Sequence, residues 1–486
     1  MHKSRTKPNI VSILADDMGA WALGCAGNSE IKTPHLDKLA EGGARFDQFY
    51  CVSPVCSPAR ASILTGTIPS RHGVHDWIRS GNVNKSELPN SMSSMSVFDE
   101  EHEAESYLAG QLTYTDLLSQ AGYRCALSGK WHLGNSSKPQ HGFHHWYTIV
   151  RGGCSYMKPD VVEQDEFRIE DGYVTDLITD HAIHFIEELT TTADPFPFYL
   201  SVHYTAPHSP WEHSEHPERY LQMYDDCEFN SVPELPAHPN QIPTCPRGEG
   251  DRRRELLQGY YAAITAMDHG IGQIVAKLDE KGIRDNTLIV FMSDNGMNMG
   301  HHGIWGKGNG TFPLNMFDTS VKIPAIFHHR GMIPAGQVLR ELVSQYDVFP
   351  TLLEYAGIEL HHHEIGPGRS FAKLMLGTEG NHNEHIVVYD EYGPVRMIRT
   401  KEWKYVHRYP YGPHELYQLS RDPEENVNRI QDTSCALTIE DMQLRLGNWF
   451  SQYVLPESDG VYAPVTGLGQ MKSIRRGRIE AGTFKS

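Results

Sequence analysis

Four short apolar, β-rich runs constrain this chain more than any other feature: residues 9–14 (NIVSIL), 124–128 (RCALS), 198–203 (FYLSVH) and 287–293 (TLIVFMS). Hydrophobicity that is continuous rather than alternating marks strands buried on both faces. Helix-like stretches lie between them, at 33–42, 112–121, 172–189 and 251–282. Strand and helix in alternation predict an α/β fold, a large mixed, mostly parallel sheet sandwiched by helices. The Pro- and Asn-rich stretch 230–250 reads as a long surface loop, because the same patterns resume after it.

Beyond about residue 377 the character changes. Closely spaced strand candidates at 386–390, 395–400 and 403–408 precede a terminal helix near 439–453, the pattern of a small antiparallel sheet with one helix. The expected organisation is therefore a large α/β domain over 1–376 and a smaller subdomain over 377–486. The His361–His363 tract reads as a solvated loop with no assigned role.

Each apolar run ends in polar residues: Asp16-Asp17, Gly129-Lys130-Trp131-His132, Thr205-Ala206-Pro207-His208 and Asp294-Asn295. Open α/β sheets bind ligands beyond the carboxyl ends of their strands. Any one of these clusters could be an ordinary turn, as Asp-Asn-Gly often is. Four at one rim point to a site.

The totals exclude several classes. A formal net charge of -18 offers no basic stripe to a nucleic acid, so an anionic substrate must be met by a few local cations in a pocket. The first residues lack the apolar core of a signal peptide, and no stretch reaches the roughly 18 apolar residues of a membrane span, so a cytoplasmic protein without membrane contact is expected. The eight cysteines are dispersed without a C-x-x-C pair, and most are expected to be plain thiols.

One cysteine needs a different explanation. In Cys56-Ser57-Pro58-Ala59-Arg60, Pro58 suits the first turn of a helix, which sets Cys56 at a helix N-terminus and Arg60 one turn on. The helix dipole there is expected to favour an anionic nucleophile. A cysteine-phosphatase loop needs a longer spacing than the three residues between Cys56 and Arg60.

The run C-S-P-A-R followed by A-S-I-L-T-G resembles the signature of type I sulfatases, of the alkaline-phosphatase-like superfamily. The resemblance extends through A-D-D-M-G (15–19), G-K-W-H-L-G (129–134), A-P-H-S-P (206–210), S-D-N-G (293–296) and G-I-W-G-K (303–307). It implies that a separate formylglycine-generating or anaerobic sulfatase-maturating enzyme oxidises Cys56 to formylglycine. It also implies one Ca²⁺ held by Asp16, Asp17, Asp294, Asn295 and residue 56, an oxygen-rich set suited to a hard cation. One hydroxyl of the hydrated aldehyde would attack sulfur and release the alcohol, and the second would then expel sulfate. By the same resemblance, Arg60 and Lys130 would hold the nucleophile and sulfate oxygens. His132 would take the proton of the second hydroxyl, Lys307 would bind sulfate, and His208 would bind it while protonating the leaving oxygen.

His75, Trp77, His302 and Trp305 are candidate substrate contacts, since His and Trp rings are platforms for a sugar; the alternative is packing of half-buried rings. The run G-H-H-G-I-W-G-K-G-N-G-T-F resembles bacterial sulfatases of carbohydrates, which suggests a sulfated saccharide such as 4-O-sulfated galactose or N-acetylgalactosamine of glycosaminoglycan type. His203, within a strand, reads as structural. Two other readings compete. One is a phosphodiesterase or phosphonate monoester hydrolase of the same superfamily, disfavoured because the extra Asp/His ligands of a two-zinc site are absent. The other is a non-catalytic sulfated-glycan-binding protein in which Cys56 stays a thiol.

Overall fold

The computed structural model describes residues 7–191, 196–360, 366–378, 382–390, 395–474 and 479–485. The run expected to be a doubly buried strand, Asn9–Ala15, is buried at every position. It pairs in parallel with Phe198–His203 on one side and Thr287–Ser293 on the other. Arg124–Gly129 and then Phe143–Ile149 extend the parallel block. Ala325–His328 runs antiparallel beside Thr287–Ser293, and the hairpin Asp160–Glu163, Glu166–Ile169 closes the opposite edge. Ala44–Phe46 and Gln337–Leu339 complete a ten-stranded mixed sheet among the described residues.

Side-chain alternation along these strands divides the interior into two cores. Ile10, Leu14, Leu288, Val290 and Met292 meet Ala61 and Leu64 of the helix Cys56–Thr65 and Leu118 of Tyr114–Gln120. Val11, Ile13, Ile289 and Phe291 face the other way, toward Val174–Thr190 and the long helix Asp251–Glu280. Each such fully buried aliphatic side chain is worth about 1.5–3 kcal/mol relative to exposure.

The C-terminal strands Ile386–Asp390, Val395–Arg399, Trp403–Arg408 and Glu415–Gln418 form an antiparallel sheet. One face, with Val387, Ile398 and Tyr405, is covered by Leu446, Trp449 and Phe450 of the helix Ala436–Tyr453. The other face, with Val388, Met397 and Val406, joins the first large core. No helix among the described residues is long and apolar enough to cross a membrane. Residues 230–250 contain no helix or strand, as expected. The histidine tract at 361–363 lies outside the described residues.

Candidate active site

The site is built where the parallel strands end. Asp16 and Asp17 follow Asn9–Ala15, Asp294 and Asn295 follow Thr287–Ser293, and Lys130 follows Arg124–Gly129. Gly129 has φ +114°, and a Cβ there would meet the carbonyl oxygen of His203 at 2.0 Å, so only glycine lets the chain leave the strand toward Lys130. Asp17 and His132 both take left-handed backbone conformations, at φ 63° and 56°. For non-glycine residues that is a local strain that the surrounding structure must hold.

Ligand oxygens of Asp16, Asp17 and Asp294 lie within 4.8 Å of one another, all three residues buried. Lys130 Nζ donates to Asp16 Oδ2 at 2.5 Å. Arg60 donates from Nε to Asp294 Oδ2 at 3.0 Å and from Nη1 to the carbonyl of Lys130 at 3.0 Å. Lys307 Nζ lies 2.6 Å from Asp17 Oδ1 and 2.8 Å from Cys56 Sγ. Cys56 Sγ is in turn 3.3 Å from Asp16 Oδ1. Burial alone would raise the Asp16 carboxyl, but Lys130, His208, Arg60 and Lys307 together hold it well below the usual range. Asp294 is pushed up by burial and by the charge of Asp16, against the pull of Arg60 and Lys130, and a further cation beside it would oppose that rise.

The donor set fits such a cation. Asp16, Asp17, Asp294 and Asn295 present oxygens only, as a hard divalent ion requires. Asn295 spends its amide nitrogen on Asp17 Oδ1 at 2.9 Å and the carbonyl of Gly296 at 2.8 Å, while its Oδ1 is buried with no partner. An acceptor left without a donor in the interior is costly, and a cation would satisfy it.

Cys56 opens the helix Cys56–Thr65, as its sequence context predicts. The thiol itself does not supply an anionic nucleophile, because burial and Asp16 push the Cys56 thiol up, outweighing Lys130 and Lys307. An unmodified Cys56 here is a neutral thiol.

The two histidines have fixed tautomers. His132 Nε2 lies 3.0 Å from the carbonyl of Ile78, so Nε2 carries the proton and Nδ1, buried without a partner, is a bare acceptor. His208 Nδ1 lies 2.7 Å from the carbonyl of Ser209, which turns Nε2 toward Asp17 Oδ2 at 3.7 Å. Burial lowers both imidazoles; Lys130 and Arg60 add to the effect at His132, whereas Asp16 and Asp17 oppose it at His208.

Above Cys56 opens a cavity of about 290 Å³ whose floor includes Cys56, His132, His208 and Lys307. Trp77 lines it; His75, His302 and Trp305 do not. His75 is buried, its ring 6.3 Å from Phe484 and edge-on to it, with its backbone N–H donating to Gln470 Oε1 at 2.9 Å. His302 stacks on Phe317 with ring centroids 3.7 Å apart. Trp305 is packed in the second core, and its backbone N–H donates to Gln241 Oε1 of the 230–250 loop. Arg60 and Lys130 also lie outside the lining, beneath the acid cluster. His203 is buried, with Nδ1 3.1 Å from the carbonyl of Lys130. Arg79, Asn82, Arg151 and Asn309 also line the cavity; Asn309 falls in the 300–312 run, and the other three lie outside every motif.

Known proteins share this fold. The chain is similar to a protein solved in complex with its substrate D-glucosamine-2-N,6-O-disulfate, with a TM-score of 0.74 and 24% identity covering 94% of this chain and 100% of that one, a likeness of fold. Together with the mixed sheet, this places the chain in the alkaline-phosphatase-like fold class. The sulfatase family model matches residues 8–358, and a model for the C-terminal part of N-sulphoglucosamine sulphohydrolase matches residues 300–452. The chain belongs to the sulfatase family, hydrolases of sulfate esters. Among its relatives are the N-acetylglucosamine-6-O-sulfatase of Bacteroides thetaiotaomicron, 28% identical over 93% of this chain and 88% of the relative. The ulvan-active sulfatase of Formosa agariphila is 30% identical over 87% of this chain and 77% of its own.

Proposed function

We propose that the protein removes sulfate from a sulfated saccharide, using residue 56 as a formylglycine hydrate and one Ca²⁺ at Asp16, Asp17, Asp294 and Asn295. The observation that carries this reading is Cys56 at the floor of a cationic cavity, 2.8 Å from Lys307 Nζ and 3.3 Å from an acid cluster with an unsatisfied amide oxygen. Hydrated formylglycine carries two hydroxyls on one carbon, so ester cleavage and sulfate release can be divided between them. Bound among these oxygens, Ca²⁺ would supply Lewis-acid polarisation of the nucleophile and the sulfate.

The chain's own residues supply the rest. Lys307 meets the sulfate charge at the cavity floor. His132 accepts a proton at its bare Nδ1 and is the base for the second hydroxyl. His208 presents Nε2 to the cavity and protonates the leaving oxygen once the incoming anion raises its pKa. Arg60 and Lys130 are positioning residues, holding Asp294 and Asp16 in place.

Sulfated hexoses and amino sugars head the candidate substrates. 6-O-sulfated N-acetylglucosamine follows from the Bacteroides relative, and 4-O-sulfated galactose or N-acetylgalactosamine from the 300–312 motif. The test is a panel of defined sulfated mono- and disaccharides, with a phosphodiester and a phosphonate monoester alongside, assayed for free sulfate and for released alcohol. Sulfate release from at least one sugar, absent in Cys56→Ala, is expected. Faster alcohol release from the phosphodiester or the phosphonate monoester than sulfate release from any sugar would instead support the phosphodiesterase or phosphonate hydrolase reading.

A further inference from the structure

The floor of the cavity accounts for one sulfate. Its wall carries two more cations, Arg79 and Arg151, that the hydrolytic chemistry does not use. In a chain of net charge -18, no Asp or Glu among the described residues lines this cavity. Such a local reversal of sign marks what the cavity admits.

Both guanidinium groups are held from behind. Arg79 sits over the Trp77 ring at 5.4 Å, donates from Nη1 to the carbonyl of Leu468 at 3.1 Å, and pairs through Nε with Glu100, which is outside the lining. Its backbone N–H is tied to the carbonyl of Gln470 at 2.9 Å. Arg151 lies over the Phe98 ring at 4.8 Å, with Nε 3.5 Å from Asp160 and Nη1 3.5 Å from the carbonyl of Val97. The side chains are 33% and 22% exposed, so they are anchored yet reachable. A guanidinium has five N–H donors in a planar fork, and those left over suit a carboxylate or a sulfate.

A neutral sugar's hydroxyls can accept from these N–H groups but leave both positive charges unmet, and a cationic alcohol would be repelled. We propose that the molecule carrying the scissile sulfate bears a second anionic group, a carboxylate or a further sulfate, recognised by Arg79 and Arg151. This rests on the sulfatase reading of the same cavity, and it names the substrate class: a polyanionic saccharide rather than a monosulfated one.

The test separates binding from turnover. Cys56→Ala protein, which cannot hydrolyse the ligand, is titrated calorimetrically at fixed salt with three probes: N-acetylglucosamine 6-sulfate, glucosamine 2-N,6-O-disulfate, and a monosulfated disaccharide containing a uronic acid. A second anion is expected to tighten binding about tenfold or more, and adding Arg79→Gln or Arg151→Gln to the Cys56→Ala protein is expected to remove most of that gain. The second and third probes tell a further sulfate from a carboxylate. Equal affinity for all three, or a gain untouched by both substitutions, overturns the proposal. In parallel, the unsubstituted enzyme is assayed for free sulfate. Efficient release from the monosulfated sugar with no preference for the polyanions overturns the second-anion site while leaving the sulfatase reading standing. Neither binding nor release from any probe overturns both.

Discussion

Lys130 Nζ lies 2.5 Å from Asp16 Oδ2, and both side chains are wholly shielded from solvent. An ion pair at that depth is worth little beyond an apolar pair of the same shape, but removing one partner strands the other. Lys130→Met leaves Asp16 only more distant cations, Arg60 Nη2 at 3.7 Å among them, and is therefore expected to destabilise the calcium-free protein, by about 3 kcal/mol at most, in urea unfolding. Saturating Ca²⁺, which gives Asp16 another partner, should recover part of that loss. A variant as stable as the parent without calcium would show that the pair does not matter.

Calcium binding itself is measurable without any substrate. Chelator-treated protein should melt at a higher temperature as Ca²⁺ is added, a ligand at a hundredfold excess over its Kd contributing about 2.7 kcal/mol. Asp17→Asn, which removes one charge from the cluster, should blunt or abolish the shift. A melting temperature indifferent to Ca²⁺ in the parent protein would remove the metal from the proposed site.

Burial holds the His75 imidazole down to about 3, against about 6.5 in an unfolded chain. Its folded-state pKa is lowered, so as pH falls from about 6.5 toward 3 the unfolded chain takes up a proton that the folded protein refuses. Stability is thus lost on acidification at about 1.4 kcal/mol per pH unit from this residue. Asp268 and Glu425, each pushed up to about 7 by burial, act in the opposite sense over much of that range, so the clean measurement is a difference. Urea unfolding of His75→Gln and of the parent between pH 4 and 6.5 should diverge by that slope; parallel curves would place a titrating or exposed imidazole at 75.

Asn315 donates from Nδ2 to the carbonyls of Lys307 and Gly308, at 3.0 and 3.1 Å. Its neighbours are clamped from the C-terminal sheet, where Lys404 donates to the carbonyl of Met316 and Arg408 to that of Leu314. Asn315→Ala should release the backbone beneath Lys307 and lower kcat/KM about 10- to 100-fold, the scale of a misplaced positioning group. An unchanged kcat/KM in a folded variant would show that Lys307 is oriented by other contacts.

The strand ends were legible because buried parallel strands announce themselves: residues 198–203 and 287–293 are strands as expected, and 9–14 and 124–128 each run one residue further. Lys130, His132, His208 and the acid pairs followed directly, since they are the next residues along the chain. The remaining strands of the large sheet were hidden for physical reasons. Ala44–Phe46 and Gln337–Leu339 are three residues each, too short for a period, and Phe143–Ile149 (FHHWYTI) is interrupted by two histidines. Of the two readings open for Trp305, the structure shows packing, because the 230–250 loop closes over it. His75 and the Arg79 wall depend on contacts nearly four hundred residues away in sequence: Gln470 bonds to His75 and Arg79, and Gly467 accepts from Trp77 Nε1 at 3.2 Å. Local pattern carries no trace of residues 467–470 returning to brace Trp77 and Arg79, which line the cavity.

The chemistry proposed for residue 56 is most directly tested by the mass of the peptide that contains it, taken from protein made alongside a maturation enzyme. Replacing CH₂SH by CHO lightens that peptide by about 18 Da, and sulfate release should rise in proportion to the lighter fraction. A preparation that releases sulfate at full rate while residue 56 is entirely thiol would contradict it.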